Sequence, residues 1–490
     1  WLYHRTVTDP APDPTPDPAP RRPRPPPRGE LGFEATLWQA ADRLRSNMDA
    51  AEYKHVVLGL LFLKFIAAAG PPLRAVPAAP DPAAPAGEQT SFRGFVVPAE
   101  ARWDALVRRR TSMTLGHELD RAMATLERHN PILRGVLPQI YQRPGLDPAR
   151  LGELLQLFDE LPALPGSGPR DVLGRVYEYF LAAFADAEGK NGGQFYTPPS
   201  VVSLLVAALA PTRGAVYDPA CGSGGMFVQS ERFLAAHGGA RDDLRFFGQE
   251  SNPTTWRLAR MNLAVRGIEG DLGPGPADSF ARDLHPDLRA DYVLANPPFN
   301  ARAWATAALQ GDPRFRFGQP PATNANFAWL QHIVHHLAPR GRAAVVLANG
   351  SLTVGGREGE LRRALVEADL VDGVIALPGQ LFYATAIPVC VWLLAQGREG
   401  RRGRVLMIDA RDLGEMIDRT HRALRPADVA ELAAIVHAWR GDPVPEGMSE
   451  RTYRDVPGRC RAVDRAALAA HDFVLAPARH VAPPDAAPER

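Results

Sequence analysis

Between residues 31 and about 184, apolar positions repeat every three to four residues, which is the spacing of an α-helix. Four of them would share one helix face: Leu37, Ala41, Leu44 and Met48. A second apolar run, residues 56–61, follows Asp49 and Glu52, which have capping-box spacing. Helical patterns resume after a Pro/Ala/Gly-rich stretch at residues 70–89, which we expect to be an exposed loop. We therefore predict a mostly helical N-terminal domain over residues 31–186.

After Gly192 the pattern changes to short apolar runs, each followed by an amphipathic stretch. The runs that predict strands are Ala215–Tyr217, Phe246–Gly248, Tyr292–Ala295, Ala343–Leu347 and Val371–Ala376. Strands that alternate with helices predict a parallel, doubly wound sheet, which we assign to residues 187–400. Residues 401–490 contain one further strand-like run, Val405–Ile408, and then helix-like segments such as Pro426–Trp439. The predicted fold is α/β: a helical N-terminal domain, a Rossmann-like sheet domain, and a short helical C-terminal tail packed on the sheet or on a partner.

Composition and charge narrow the class of protein. The chain has 490 residues and 45% apolar content, enough for two or three domains with buried cores. Its 56 basic residues nearly balance its 55 acidic ones, so binding to DNA would need help from another component. Residues 1–30 form a Pro/Arg/Asp tract without a signal-peptide core, which we expect to be disordered. The most apolar stretches, Val56–Ala69 and Val374–Leu394, are broken by lysine or by proline and glycine, so no membrane span is predicted.

The cysteines and histidines do not predict a metal centre. Three cysteines lie far apart, which argues against a zinc site or a disulfide framework and fits a reducing cytoplasm: Cys221, Cys390 and Cys460. Three histidines have helical spacing but no carboxylate or cysteine nearby in sequence: His332, His335 and His336. We interpret them as a partly solvated helix face.

A glycine-rich segment provides the first candidate chemistry. It reads Asp-Pro-Ala-Cys-Gly-Ser-Gly-Gly over residues 218–225, follows a predicted strand and opens a helix, where α/β sheets bind their ligands. The glycines let the backbone approach a ligand, and the Asp218 carboxylate can accept hydrogen bonds from an ammonium or a hydroxyl. Phe227 stands where the dinucleotide fingerprint has its third glycine, and a Walker lysine is missing. An ordinary glycine-rich turn remains the alternative for this segment alone. The candidate contacts are Asp218, Ala220, Gly222, Ser223, Gly224 and Gly225.

Two acidic residues further along could complete a nucleoside site. Glu250 ends the next predicted strand, where a carboxylate can bind both hydroxyls of a ribose. Asp278 is placed to accept a hydrogen bond from an adenine amine, and Phe280 could stack on the ring. Taken singly, an acid in the position of Glu250 is usually just solvated, and a loop turn explains Asp278 about as well as a ligand contact does.

The segment Asn-Pro-Pro-Phe provides sharper chemistry, because an apolar strand here enters a polar, rigid and aromatic turn. An exocyclic amine is a poor nucleophile, since its lone pair is delocalised into the ring. The Asn296 side-chain carbonyl and the Pro297 backbone carbonyl could hold the hydrogens of such an amine and make its nitrogen tetrahedral during methyl transfer. The prolines fix the turn, and the aromatic ring could stack on a base swung out of the duplex. The catalytic candidates are Asn296, Pro297, Pro298 and Phe299.

Together with the upstream segment Gln194-Phe195-Tyr196-Thr197-Pro198, these two motifs resemble those of amino-group DNA methyltransferases, in the order of the gamma class. Four further segments, within Leu31–Val481, resemble modification subunits of type I restriction-modification systems: Leu37–Lys64, Gly248–Asn262, Asn324–Gln331 and Ile375–Leu394. The resemblance implies an S-adenosylmethionine-dependent adenine-N6 methyltransferase. It also implies that the upstream segment, through Tyr196 and Thr197, holds the methionine part of the cofactor. The family usually has arginine after Thr-Pro, where this chain has Pro199.

The resemblance also implies partners. Gamma-class enzymes that act alone carry a sizeable target-recognition domain, whereas only about ninety residues follow the predicted sheet domain here. Specificity for DNA is therefore expected from a separate subunit, with two modification subunits per specificity subunit and a restriction subunit in the full complex. Two alternatives remain: a methyltransferase acting on RNA or on a protein amide, and a catalytically idle scaffold that binds the cofactor.

Overall fold

The computed structural model of the chain describes residues 33–45, 48–68, 95–161, 169–188, 197–382, 387–442 and 452–482. The tract at residues 1–30 and the loop expected at residues 70–89 lie outside the described residues. The first part is helical, as predicted, with helices α1 (Glu34–Leu44), α2 (Ala50–Ala68), α3 (Trp103–Arg108), α4 (Leu115–His129), α5 (Pro148–Asp159) and α6 (Pro169–Glu188).

The helical part is organised around α2, whose described side chains are mostly buried and which packs against α6. Trp38 of α1 meets Phe184 of α6 edge to face, with ring centroids 4.5 Å apart. Helix α5 begins with a side-chain cap: Asp147 accepts a hydrogen bond from the Ala149 amide (2.9 Å), and Pro148 occupies the first helical position. None of the helices formed by the described residues is long and apolar enough to cross a membrane.

A central sheet follows, in the order β11-β8-β6-β7-β5-β4-β1-β2-β3. Its strands are β1 (Gly214–Asp218), β2 (Leu244–Gly248), β3 (Gly270–Asp271), β4 (Ala290–Ala295), β5 (Leu337–Ala348), β6 (Val371–Ala376), β7 (Val389–Ala395), β8 (Arg404–Asp409) and β11 (Cys460–Asp464). A short hairpin, β9 (Glu415–Met416) and β10 (Arg422–Ala423), stands apart. The helices of this part are α7 (Pro199–Leu209), α8 (Gly225–Ala236), α9 (Pro253–Arg266), α10 (Asn326–His336), α11 (Gly356–Glu367), α12 (Pro426–Arg440), α13 (Arg465–Ala469) and α14 (Ala478–Val481).

The predicted strand runs all lie within observed strands, but the sheet is not purely parallel. Strand β7 runs antiparallel to both of its neighbours, β5 and β6. The described residues of the connection from β6 to β7 form no helix, and the two strands pair as antiparallel neighbours. The C-terminal segment also differs from a purely helical tail, because β8 extends the sheet beside β6 and β11 pairs antiparallel with β8.

Helix α12 anchors the C-terminal segment to α7. The His437 ring nitrogen Nε2 bonds the carbonyl oxygen of Ala207 at 2.8 Å, and Arg440 donates to the carbonyl of Ala208 at 2.7 Å. Arg440 also forms a buried ion pair with Asp372 of β6, at 2.8 Å between Nε and Oδ2. Helix α12 therefore fixes the end of α7 against the sheet.

Candidate active site

Three candidate side chains meet at one edge of the sheet. Asp218 is the last residue of β1, Glu250 follows β2 by two residues, and Asn296 follows β4 directly. Strand β1 lies between β2 and β4 and is parallel to both, so their carboxyl ends lie together. The site edge predicted from the motifs is therefore formed by neighbouring strands, which is where α/β sheets bind ligands.

Two acidic residues, Asp218 at the start of the glycine-rich loop and Glu250 after β2, hold the loop between β1 and α8 through hydrogen bonds. Asp218 Oδ1 accepts from the Ala220 amide at 3.0 Å, and Glu250 Oε2 accepts from the Gly222 amide at 3.1 Å. Gly224 has φ +79°, a left-handed conformation that favours glycine, and it caps the start of α8. A Cβ added at Gly222 or Gly225 would meet no atom within 4 Å, so both backbones face open space.

The two acids are electrostatically unusual. Burial raises the pKa of Asp218 to about 8, with the Ala220 amide opposing the rise and the Glu250 charge adding to it. Burial also raises the pKa of Glu250, against hydrogen bonds from the Asn252 and Gly222 amides. An edge lined by two desolvated carboxyls favours ligands that bring hydrogen-bond donors or positive charge.

Asp278 and Phe280 lie beside this loop. The Ala277 amide donates to the Glu250 carbonyl at 2.9 Å, which places the following residues next to Glu250. Asp278 is exposed, and its Oδ1 accepts from the amides of Phe280 (2.8 Å) and Ala281 (3.0 Å). The Phe280 ring is 3% exposed, with its centroid 4.2 Å from that of Trp329. Phe280 therefore belongs to an aromatic cluster that borders the loop.

A buried arginine that the sequence analysis missed holds this region. Arg314 donates from Nη1 to the Ser279 carbonyl at 2.6 Å and from Nη2 to the Phe280 carbonyl at 2.8 Å. Its Nη2 also pairs with Asp312 Oδ2 at 2.7 Å, and its Nη1 lies 3.1 Å from His332 Nδ1. No sequence motif marks Arg314, since its partners are backbone carbonyls and side chains from separate segments.

The histidines are not a solvated face, so that interpretation was wrong for two of them. His332 and His336 are fully buried where α10 packs against β5, and Asp283, distant in sequence, joins them. One ligand atom from each of these three residues lies within 4.8 Å of the others, a spacing that a metal ion could use. Hydrogen bonds already engage these atoms: His336 Nε2 bonds Asp283 at 2.9 Å, and His332 Nε2 bonds Tyr217 at 3.1 Å. With the Arg314 guanidinium 3.9 Å from Asp283, the cluster is a hydrogen-bonded network.

Asn296 presents an unused acceptor. Its side chain is 7% exposed, and its Nδ2 donates to Thr197 Oγ1 at 2.8 Å. Its Oδ1 is buried and has no hydrogen-bond partner among the described residues. Pro297 is buried and Pro298 exposed, while the Phe299 ring is 6% exposed and meets the Phe382 ring edge to face at 6.4 Å.

A cavity of about 290 Å³ connects these features. It is lined by the glycine-rich loop, by Asn296 and Thr197, and also by the helical part of the chain. The wall also includes Glu34 of α1. Helix α6 adds Arg175 and Tyr179, which lie four residues apart. Sequence analysis missed this wall, because nothing in the helical pattern of α6 indicates which face meets the sheet domain. Glu250, Asp278 and Phe280 do not line the cavity, while Gln194, Phe195 and Tyr196 lie outside the described residues.

Comparison with known proteins gives the family. The chain matches the N-6 DNA Methylase family over residues 168–488 and the HsdM N-terminal domain over residues 33–158. It is 44% identical over 407 residues to the type I restriction enzyme HindI methylase subunit of Haemophilus influenzae, covering 79% of this chain and 89% of that one. It is 36% identical over 474 residues to the MjaIX methylase subunit of Methanocaldococcus jannaschii, covering 92% and 84%.

A solved structure shows the same fold. The methyltransferase subunit of a type I restriction-modification system from Streptococcus thermophilus has a TM-score of 0.75 and 24% identity, over 92% of this chain and 99% of that one. The chain thus belongs to the N-6 DNA methylases, which are S-adenosylmethionine-dependent methyltransferases. Within that class it is a member of the methylase subunits of type I restriction enzymes, as the sequence motifs predicted.

The pocket fits S-adenosylmethionine. That cofactor brings an ammonium, a sulfonium and hydroxyl donors, and the cavity offers a buried carboxyl at Asp218 with Glu250 beside it. Gly222 and Gly225 leave room for it against the backbone, where a Cβ would occupy the open space.

Proposed function

We propose that this chain transfers a methyl group from S-adenosylmethionine to the exocyclic N6 amine of an adenine flipped out of DNA. The observation that carries the proposal is the buried, unpartnered Oδ1 of Asn296 on the cavity wall. A buried acceptor without a partner costs about 1–3 kcal/mol, which a ligand donor can recover. An amine hydrogen of the target base is such a donor.

The residues of the Asn-Pro-Pro-Phe turn then act by positioning and electrostatics. Asn296 Oδ1 accepts one N6 hydrogen and the Pro297 carbonyl accepts the other, so the nitrogen lone pair turns out of the ring plane. Pro298 keeps the turn rigid, and Phe299 supports the base. S-adenosylmethionine supplies an electrophilic methyl on a positively charged sulfur. The N6–methyl bond forms as the sulfur–methyl bond breaks, the bonding pair returns to sulfur, and N6 releases one proton to water.

The remaining motif residues are assigned to the cofactor. In this proposal the loop contacts from Asp218 to Gly225 bind its amino-acid and ribose parts, and Glu250 binds the ribose hydroxyls. Asp278 accepts from the adenine amine through its exposed carboxylate, and Phe280 borders the ring from its aromatic cluster. Around Thr197, the neighbouring residues Gln194, Phe195, Tyr196 and Pro198 hold the methionine end.

The family and the charge of the chain support a proposal about its partners. We propose that the chain acts on DNA within a complex containing a specificity subunit, a second modification subunit and, in the complete enzyme, a restriction subunit. The nearly neutral charge of the chain supports this, because a protein without a strong positive field needs help to bind DNA.

Sequencing of methylated DNA tests the proposal. The chain would be co-expressed with the specificity subunit encoded beside it, and N6-methyladenine would be mapped across the host DNA. We expect methylation at one defined sequence, and none when either component is expressed alone. A stable complex that binds cofactor but methylates no adenine would instead favour a catalytically idle scaffold. Methylation confined to RNA or to a protein amide would identify a different substrate.

The pKa of Asp218 predicts how cofactor binding depends on pH. Below about pH 8 this carboxyl is protonated in the free protein, whereas binding a cofactor ammonium requires the carboxylate. Affinity for S-adenosylhomocysteine should therefore fall as the pH drops from about 8 to 6, by up to about tenfold per pH unit. Calorimetric titrations at several pH values would measure it. In Asp218→Asn the slope should vanish, and an unchanged slope in that variant would contradict the assignment.

Arg175 on the cavity wall should bind the cofactor's carboxylate. The other arginine of the wall, Arg232, already pairs with Glu178 at 2.7 Å, whereas Arg175 forms no ion pair with any described residue. We expect Arg175→Gln to weaken S-adenosylhomocysteine binding about tenfold. Binding of 5′-methylthioadenosine, which lacks the amino-acid part, should not change. Equal weakening of both ligands would mean that Arg175 only shapes the pocket. The exposed Arg108→Gln serves as the control.

A further inference from the structure

Thr197 lines the cavity beside Asn296 and is held at a fixed position there. It lies just before α7, followed by Pro198 in an extended conformation (φ −55°, ψ 139°) and by Pro199 as the first helical residue. The prolines restrict the backbone there, and α12 holds the far end of the helix through the Ala207 and Ala208 carbonyls. The Thr197 side chain is therefore presented from a rigid element.

The Thr197 hydroxyl touches the catalytic amide itself. Its Oγ1 accepts from Asn296 Nδ2 at 2.8 Å, across a sequence separation of 99 residues. Both residues line the cavity. Among the described residues, this hydroxyl is the one hydrogen-bond partner of the Asn296 side chain.

The orientation of that amide decides whether it can serve an amine. A carboxamide has a donor end and an acceptor end of nearly the same shape, and a rotation of its plane exchanges them. Only the arrangement with Oδ1 toward the substrate can accept an amine hydrogen, since an amide NH₂ there would face another donor. Because the Thr197 hydroxyl accepts from Nδ2 in the structure, Oδ1 is the end that stays free to accept.

We propose that Thr197 is a positioning residue for methyl transfer: its hydroxyl holds Asn296 Nδ2 and thereby directs Oδ1 toward the substrate amine. The inference rests on the proposed function and assigns Thr197 a different task from the cofactor contact that the family resemblance implies. It makes Thr197 part of the target-base site.

Two matched variants test this. Thr197→Val keeps the shape and removes the hydroxyl, whereas Thr197→Ser keeps the hydroxyl; Thr197→Ala is a second hydroxyl-free variant should the valine protein fail to fold. Single-turnover methylation would be measured in the complete complex at saturating cofactor, and S-adenosylhomocysteine binding by calorimetry. We expect Thr197→Val or Thr197→Ala to slow methyl transfer about 100-fold, as a misplaced reacting group does. Their S-adenosylhomocysteine affinity should remain within about twofold of the wild type, a difference of about 0.4 kcal/mol or less. Thr197→Ser should keep most of the rate.

Two outcomes would overturn the inference. If the hydroxyl-free variants bind S-adenosylhomocysteine more weakly but react at the wild-type rate once saturated, Thr197 is a cofactor contact. If both rate and affinity are unchanged, the hydroxyl has no role in either. A wild-type complex that methylates no adenine would contradict the proposed function itself, whereas an active wild type with an equally active Thr197→Val contradicts only this inference.

Discussion

Asn296→Ala should reduce adenine methylation by about 1,000-fold or more, while leaving S-adenosylhomocysteine affinity nearly unchanged. The substitution removes the buried Oδ1 acceptor on which the proposed chemistry depends. Loss of one preorganised group at the reacting atoms costs about 100- to 1,000-fold, and the target base here also loses a contact that holds it in place. Single-turnover methylation of a DNA duplex carrying the mapped target sequence would measure the effect.

Asn296→Asp is the matched control, because it keeps an oxygen at the same position. It should retain clearly more activity than the alanine variant, although its charge alters the site. Equal activity of the alanine variant and the wild type would remove Asn296 from the reaction. A loss of cofactor binding equal to the loss of rate would place Asn296 in the cofactor pocket instead.

Asp372→Ala should lower the free energy of unfolding by about 3–5 kcal/mol. Asp372 is fully buried, and its carboxylate pairs with Arg440 (2.8 Å), Arg398 (3.1 Å) and Arg401 (3.3 Å). Burial opposes ionisation of this carboxyl, but the three guanidinium groups outweigh burial and hold its pKa below the ordinary value. Removal of the carboxylate would leave Arg440, itself fully buried, without its counter-charge.

Urea unfolding followed by tryptophan fluorescence would measure this change, since Trp439 lies beside Asp372 at 3.3 Å. Asp104→Ala is the control: Asp104 pairs with Arg108 on the surface, and its removal should leave the free energy of unfolding nearly unchanged. If the two variants were equally stable, the buried pairs around Asp372 would not anchor α12.

The sequence predicted the parts of the fold that local patterns determine. Short apolar runs such as Val371–Ala376 became fully buried strands, and the helix expected from Pro426 forms α12. Strand β7 was not predicted, because proline and glycine interrupt the apolar stretch that contains it, and its fully buried run carries no sign of an antiparallel direction. Strand β11 was also missed, since only two of its five residues are buried and its pattern is weak.

The site was predictable where chemistry lies in contiguous motifs. Asp218, Glu250 and Asn296 each stand at a strand end, so their shared edge followed from the fold. The network of Asp283, His332 and Arg314 was not predictable, because its members are separated along the chain and only tertiary packing brings them together. The burial of His332 was likewise missed, as helical spacing does not show which face of α10 meets the sheet.

The cavity wall formed by α6 has a consequence for the exchange of segments between related enzymes. Helix α6 packs on α2 of the helical part, yet it falls within the match to the N-6 DNA Methylase family, which begins at residue 168. Consider a chimera that joins the N-terminal part of one relative to the rest of another at residue 186, where the helical pattern ends. It would place Arg175 and Tyr179 of the first relative beside the glycine-rich loop of the second. A junction ahead of Pro169 would transfer α6 with the pocket that it encloses, so recombination between relatives should yield active hybrids more often there.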